Sequence, residues 1–347
     1  MEMNEKIKKR LFSKRYIFAA VFLLLYIVAM VLILIQDQFD PASKVVIRKA
    51  AAEQLNKDPN DLTDEDFAQI TDFQLHQENL KDIKLLAKFT NIEHFTLMDL
   101  KRPKKEFPKW MTILSRLGLV DLESKNAIDL SPLKDLKNLK TLFCQSVQIK
   151  NIQPLQNLTN LEELTIINVP ISSIKPLKNL TKLQELCIKV TNVADIKLIK
   201  QFPDLKKLSI IYSPVSDLEP LKDCINLEEL DISHTNVSDL GPIRGLVNLR
   251  MLDLRKTKVS DLEPITELSN LEKLYIGGNL ILEIDMLKNL TNLKLLYLDE
   301  CFNLKEGQQE SLKKALPDLE ITLMGSESPT TRTRRAGGMR KAPKRDQ

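Results

Sequence analysis

The chain has 347 residues, with 51 Lys and Arg against 47 Asp and Glu. The excess is terminal: residues 1–15 carry six basic and two acidic side chains and residues 325–347 carry seven and two, so the body is mildly acidic. That distribution argues against a nucleic-acid footprint on the body, and four cysteines without zinc-like spacing (Cys144, Cys187, Cys224, Cys301) argue against a disulfide scaffold or metal site and read as small buried apolar residues.

In chain order, Tyr16 to Ile35 comes first, twenty residues without a charge, fourteen of them Leu, Ile, Phe or Val. As a helix it spans about 30 Å, the thickness of a bilayer's hydrocarbon core. Its insertion is favoured by about 4–8 kcal/mol. Lys6, Lys8, Lys9, Arg10, Lys14 and Arg15 precede it, and Asp37 and Asp40 follow. The positive-inside rule puts the N-terminus in the cytoplasm and the rest outside. The apolar run is longer than a cleaved leader needs and no A-x-A site follows, so a retained anchor is expected in the cytoplasmic membrane.

Residues 36–42 read as a linker. Residues 43–69 read as a helical cap: Ser43 is the expected N-cap of a helix burying Val46, Ile47, Ala50, Ala51 and Leu55. Thr63 before Asp64, Glu65 and Asp66 marks a second helix start.

A 22-residue period then takes over. Units begin at Ile70, Ile92, Leu117, Leu139, Leu161, Leu183, Leu205, Leu227, Leu249, Leu271 and Leu293, with one step of 25 before Leu117. Each opens with L-x-x-L-x-[LI], an alternation suited to a strand buried on one face. Pro132, Pro154, Pro176, Pro220, Pro242 and Pro264 share one place in the return. Proline lacks the ladder N–H, so that place lies opposite the sheet, in a short helical or 3-10 turn. Asp217, Asp239 and Asp261 recur before those turns as acceptors of backbone N–H groups. Such a period means a solenoid whose units fold only by stacking. The expected fold class is an α/β solenoid of about 11 turns over 70–300, with a parallel concave sheet. Residues 301–324 read as a C-terminal cap, with a helix over Gly307–Leu316, a stop at Pro317 and a last strand through Leu319, Ile321 and Leu323. The basic tail 325–347 is expected to be disordered.

Units such as NLEELTIINVPISSIKPLKNLT and NLEELDISHTNVSDLGPIRGLV resemble the 22-residue leucine-rich repeats of bacterial internalin-like proteins, and VVIRKAAAEQLNKDPNDLTDEDFAQITDFQL resembles their helical cap. The resemblance covers about 43–323. It implies a leucine-rich-repeat horseshoe, protein–protein recognition on the concave sheet and no catalysis. The chain departs from that family in having no LPxTG-type sorting signal.

No H-E-x-x-H, G-x-S-x-G or phosphate-cradling loop appears, and His76, His94 and His234 are scattered. The reading is therefore non-enzymatic, with no cofactor. Counting a unit's first Leu as position one, positions three, five, seven and eight face the concave side. Position five reads Gln74, Thr96, Asp121, Phe143, Thr165, Cys187, Ser209, Asp231, Asp253, Tyr275 and Tyr297. Two apolar patches are expected there, one of Phe143, Ile167, Val190, Ile211 and Tyr212, the other of Tyr275 and Tyr297. Trp110, in the basic stretch 101–115, is a further candidate contact, suited to an anionic surface. The expected partner is a protein ligand on the concave face, with the membrane as anchor and an anionic envelope polymer as candidate partner of the tail. Carbohydrate or envelope-polymer binding, or a scaffold role in an enzyme complex, are the alternatives.

Overall fold

The repeat hexapeptides become strands because their alternate residues have one dry side to face. The structure, a computed structural model, describes residues 41–76, 80, 82–98 and 127–322. The expected membrane span 16–35, the arm before it, the stretch 101–115 with Trp110 and the tail 325–347 lie outside the described residues. Among the described residues no helix is long and apolar enough to cross a membrane.

Eleven parallel strands form one sheet in strict chain order. They are β1 (Asp72–His76), β2 (His94–Met98), β3 (Thr141–Gln145), β4 (Glu163–Ile167), β5 (Glu185–Lys189), β6 (Lys207–Ile211), β7 (Glu229–Asp231), β8 (Met251–Asp253), β9 (Lys273–Tyr275), β10 (Leu295–Tyr297) and β11 (Glu320–Thr322). Short 3-10 turns fill the return. They carry proline at the start in six units, as at Glu219–Leu221 and Gly241–Ile243. The aspartates before them act as the turn chemistry requires: Asp217 Oδ1 accepts the Glu219 N–H at 2.8 Å, and Asp239 Oδ1 accepts that of Gly241 at 2.8 Å. Between strand and turn lies one continuous core, in which Leu227, Leu230, Ile232, Val237, Leu240, Ile243 and Leu246 are all at most 1% exposed.

One unit behaves differently from its expectation. Thr96 of β2 pairs directly with Phe143 of β3, so the unit read at Leu117 puts no strand between them and Asp121 has no place in the position-five row. The apolar return at Ile128, Leu130, Leu133 and Leu136 belongs to the unit that opened at Ile92, and Ile128 bridges Ile149. Residues 99–126, which include Leu117 and Asp121, lie outside the described residues. Ten units and a closing strand make the sheet.

At the N-terminal end, α1 (Pro41–Leu55) buries Ile47, Ala51 and Ala52 against the first units. Ser43 sits inside the helix, and its Oγ accepts the Asp82 N–H at 3.3 Å. The second helix, α2 (Asp64–Ala68), is held by a capping box between Thr63 and Asp66. Phe67 and Phe73 both pack on Phe89, with centroids 5.1 and 4.7 Å apart, closing the open end of the core. At the other end α3 (Gln308–Ala315) inserts Leu312, and β11 pairs with β10.

Candidate functional site

Two features of the repeat shape its working surface. The first is a spine at position eight, just past each strand. Ser146, Asn168, Val190, Tyr212, His234, Lys256 and Glu300 all have φ between 51° and 60°, and Gly278 stands at 71°. This left-handed conformation lets each unit turn out of the sheet. It costs a residue with a Cβ roughly 1–2 kcal/mol, less for Asn. The second is an asparagine ladder at position 22 of most units, interrupted by Lys182 and Asp204. Asn160, Asn226, Asn248, Asn270 and Asn292 each donate Nδ2–H to a backbone carbonyl of the preceding unit at 2.8 to 3.0 Å. The amides at this edge of the sheet are therefore structural. Those of Asn226, Asn248, Asn270 and Asn292 line an open groove of about 720 Å³ with Lys206, Glu228, Arg250, Glu272 and Lys294. Arg250 and Lys294 both pair with Glu272, and these bonds hold its carboxyl down to about 2.

The concave floor is drier than its sequence positions imply. Of the first expected patch, Phe143 and Ile167 are half-buried and Ile211 is 7% exposed. Of the second, Tyr275 and Tyr297 are only 2% and 8% exposed. The exposed tyrosine pair expected there is instead a packed cluster with Met251 and Leu295. Arg255 closes it: the guanidinium lies 5.3 Å from the Tyr275 ring centre and 5.6 Å from that of Tyr297. Its Nε and Nη2 are gripped by Asp253, with Nη2–Oδ2 at 2.6 Å. Gly277 makes room, since a Cβ there would lie 2.6 Å from Tyr297.

Asp253 and Asp231 face the same side on adjacent strands, both fully buried. Burial pushes the Asp253 carboxyl up to about 6, against the pull of Arg255. Asp231 Oδ1 accepts the Ser233 N–H and hydroxyl at 3.1 and 2.8 Å. These carboxylates accept the backbone N–H two residues on, at Ser233 and Arg255, just past the three-residue strands β7 and β8.

Two exposed apolar side chains of the central units lie at the rim, whereas Ile225 and Val247 are exposed away from it, just before the asparagine ladder. Val190 is 47% and Tyr212 55% exposed, both in the left-handed spine. The Tyr212 ring stacks on His234, centroids 3.9 Å apart and planes 22° from parallel. Burial, with Lys256 and Arg255 nearby, holds the His234 imidazole below its usual range. Beside them is a shallow cleft of about 260 Å³, lined by Gln148, Asn168, Pro170, Val190, Asn192 and Tyr212 among others. Structure thus divides the expected residues: Val190 and Tyr212 share a cleft, Phe143, Ile167 and Ile211 lie on the floor, and Tyr275 and Tyr297 are structural. The amides of the cleft and the Asp253–Arg255 clamp were hidden from sequence reasoning. Their only signal is departure from the hydrophobic consensus at positions five to ten.

The four cysteines are unpaired, and burial raises the Cys144 thiol to about 12 and that of Cys224 to about 11. Among the described residues no His, Cys, Asp and Glu group is arranged to hold a metal.

The family model for leucine-rich repeats in two copies matches residues 137–179 and 225–267. No curated protein matches the chain. Among solved structures, an internalin (inlF) of Listeria monocytogenes is similar over 81% of this chain and 95% of its own, at 20% identity and TM-score 0.51. Internalin C2 of the same organism is similar over 73% and 92%, at 22% identity and TM-score 0.52. The functional domain of its InlJ, which includes a cysteine ladder, is similar over 79% and 67%, at 16% identity and TM-score 0.52. Identities this low speak to fold. The chain is a leucine-rich-repeat solenoid with internalin-like architecture, and its cysteines occupy four different repeat positions rather than a ladder.

Proposed function

We propose that this chain is a non-enzymatic, single-pass membrane protein that holds its repeats outside the cytoplasmic membrane and binds a protein partner through the concave face and its rim. The observation that carries the reading is the pair Val190 and Tyr212. Each is an exposed apolar side chain in a left-handed conformation. Neither burial nor backbone preference accounts for that choice, and sites where stability is spent without structural return are where function is sought. Exposed Tyr also suits a binding hot spot. The half-buried Phe143 and Ile167 extend the surface across the floor. The anchor and orientation rest on the charge-free run 16–35 and its basic flank, and the basic tail suits anionic lipid or envelope polymer.

A photo-crosslinking side chain at Tyr212 tests the partner, with Lys178 in the return as control. Adducts with a discrete protein from position 212 and not 178 are expected. Equal adducts at both, or none, would remove the assignment. Protease added to intact spheroplasts should trim the tail, and protection of the tail would reverse the orientation.

A further inference from the structure

Three places invite a ligand: the charged groove at the start of the strands, the buried Asp231–Asp253–Arg255 cluster, and the rim cleft at Tyr212. The groove's asparagines donate to backbone carbonyls, and its three cations, Lys206, Arg250 and Lys294, are balanced by Asp204, Glu228 and Glu272. The buried carboxylates lie beneath Arg255 and the tyrosines. Neither offers unspent chemistry. The cleft does.

No side chain that is charged at neutral pH is among those lining it, on a chain with 28% charged residues. It presents the amides of Asn168 and Asn192, from successive units, beside the apolar surfaces of Pro170, Val190 and Tyr212. Asn192 is exposed, and its side chain makes no hydrogen bond among the described residues. Asn168 donates Nδ2–H to Ser146 Oγ at 3.2 Å, which orients its amide. A side-chain amide offers one acceptor and two donors, the complement of a peptide group. Parallel strands stand about 4.8 Å apart, so the four units lining the cleft reach across about 14 Å. An extended chain rises about 3.3 Å per residue, so four or five residues span that width. The cleft of about 260 Å³ is shallow, so it takes one side of such a segment and leaves the other side outside. Tyr212 is braced from behind by His234, so its ring is pre-set as a wall and loses little freedom on binding.

From these features we infer that the rim cleft takes an uncharged, extended segment of four or five residues from a polypeptide partner, its backbone paired to the cleft amides and one apolar side chain seated between Val190 and Tyr212. This rests on the concave-face reading and names the chemistry of the partner at its rim. A charged residue in the segment would have no counter-ion there and would lose its hydration.

The test is display selection of random linear heptapeptides on the full-length chain, with affinities of enriched peptides measured by fluorescence polarisation. Enriched sequences are expected to share four or more consecutive uncharged residues with one apolar member. Tyr212→Ala should weaken them tenfold or more and Asn192→Ala about fivefold. Both side chains are exposed, so neither change threatens the fold. Placing Lys or Glu inside the uncharged run should also weaken binding at least tenfold. No enrichment, enrichment of charged motifs, or selective binding of neutral oligosaccharides on an array would overturn the inference. If enriched peptides bind the Tyr212→Ala variant normally but fail on Ile167→Glu, the cleft assignment falls while the concave-face reading survives. If peptides fail and the crosslinks from position 212 fail as well, both fall.

Discussion

Val190→Asn separates structural from functional cost at one position. Val190 holds φ at +54° and is β-branched, and the left-handed region costs such a residue about 1–2 kcal/mol while Asn tolerates it. Against this, Val190 is 47% exposed, so it recovers only about half of the roughly 1.5 kcal/mol that full burial of a Val contributes. Strain outweighs burial. The variant should be more stable by about 0.2–1.2 kcal/mol, read as a higher urea midpoint with unchanged slope. Val169→Asn is the internal contrast. That side chain is fully buried, and an amide placed there should cost more than about 2 kcal/mol. Partner binding and crosslinking at the rim should weaken in Val190→Asn despite its greater stability. If the variant lost more than about 1 kcal/mol, Val190 would be a structural residue and the reasoning that makes the rim a binding surface would fail.

Further tests address the clamp, the ladder and the stretch between β2 and β3. The Asp253 carboxyl is raised to about 6 from an ordinary 3.8, so the folded chain holds a proton there that the unfolded chain releases. Its contribution to stability is therefore greatest at low pH and is lost as pH rises from about 4 to about 6. The difference in urea midpoint between wild type and Asp253→Asn, followed from pH 4 to 7.5, should move in that direction across that window. A flat difference would show that burial does not govern this carboxyl. Arg255→Ala leaves Asp253 buried without its partner and should cost about 3–5 kcal/mol at pH 7.5, with the loss smaller at pH 5, where Asp253 is largely protonated. Asn248→Ala removes a bond of 2.9 Å to the Ile225 carbonyl and should cost about 0.5–1.5 kcal/mol, a loss that Asn248→Asp should share because it removes the donor. Since Thr96 pairs directly with Phe143, removing residues 101–125 restores a 22-residue step from Ile92 to the next unit. That deletion should leave the circular-dichroism spectrum of the repeats and their cooperative unfolding intact.

Much of the fold is legible in the residues alone, and the reason is periodicity. The Leu and Ile of each unit recur with one register, and every one of those in the Leu227 and Leu249 units is buried. Pro220, Pro242 and Pro264 locate the return because proline cannot sit in a central strand. The recurrence of Asn before the opening Leu is equally visible, although its role needs the carbonyl one unit back. The candidate site was legible only in part. Val190 and Tyr212 read as exposed and are exposed, whereas Tyr275 and Tyr297 read as exposed and are buried.

What the sequence determined by itself is which positions face the core, since that depends on an alternation within one unit. The tertiary structure decided which of the remaining positions are open to a partner. That depends on side chains 22 residues apart and lying side by side across the sheet: an arginine between two tyrosines seals the floor, while a valine and a tyrosine without such a lid stay open at the rim. It also decided that the spacing at Leu117 contributes no strand between β2 and β3, because hydrogen bonds join those two directly. Apolar period is a property of one chain segment, whereas exposure and pairing belong to neighbours, and only packing brings the neighbours together.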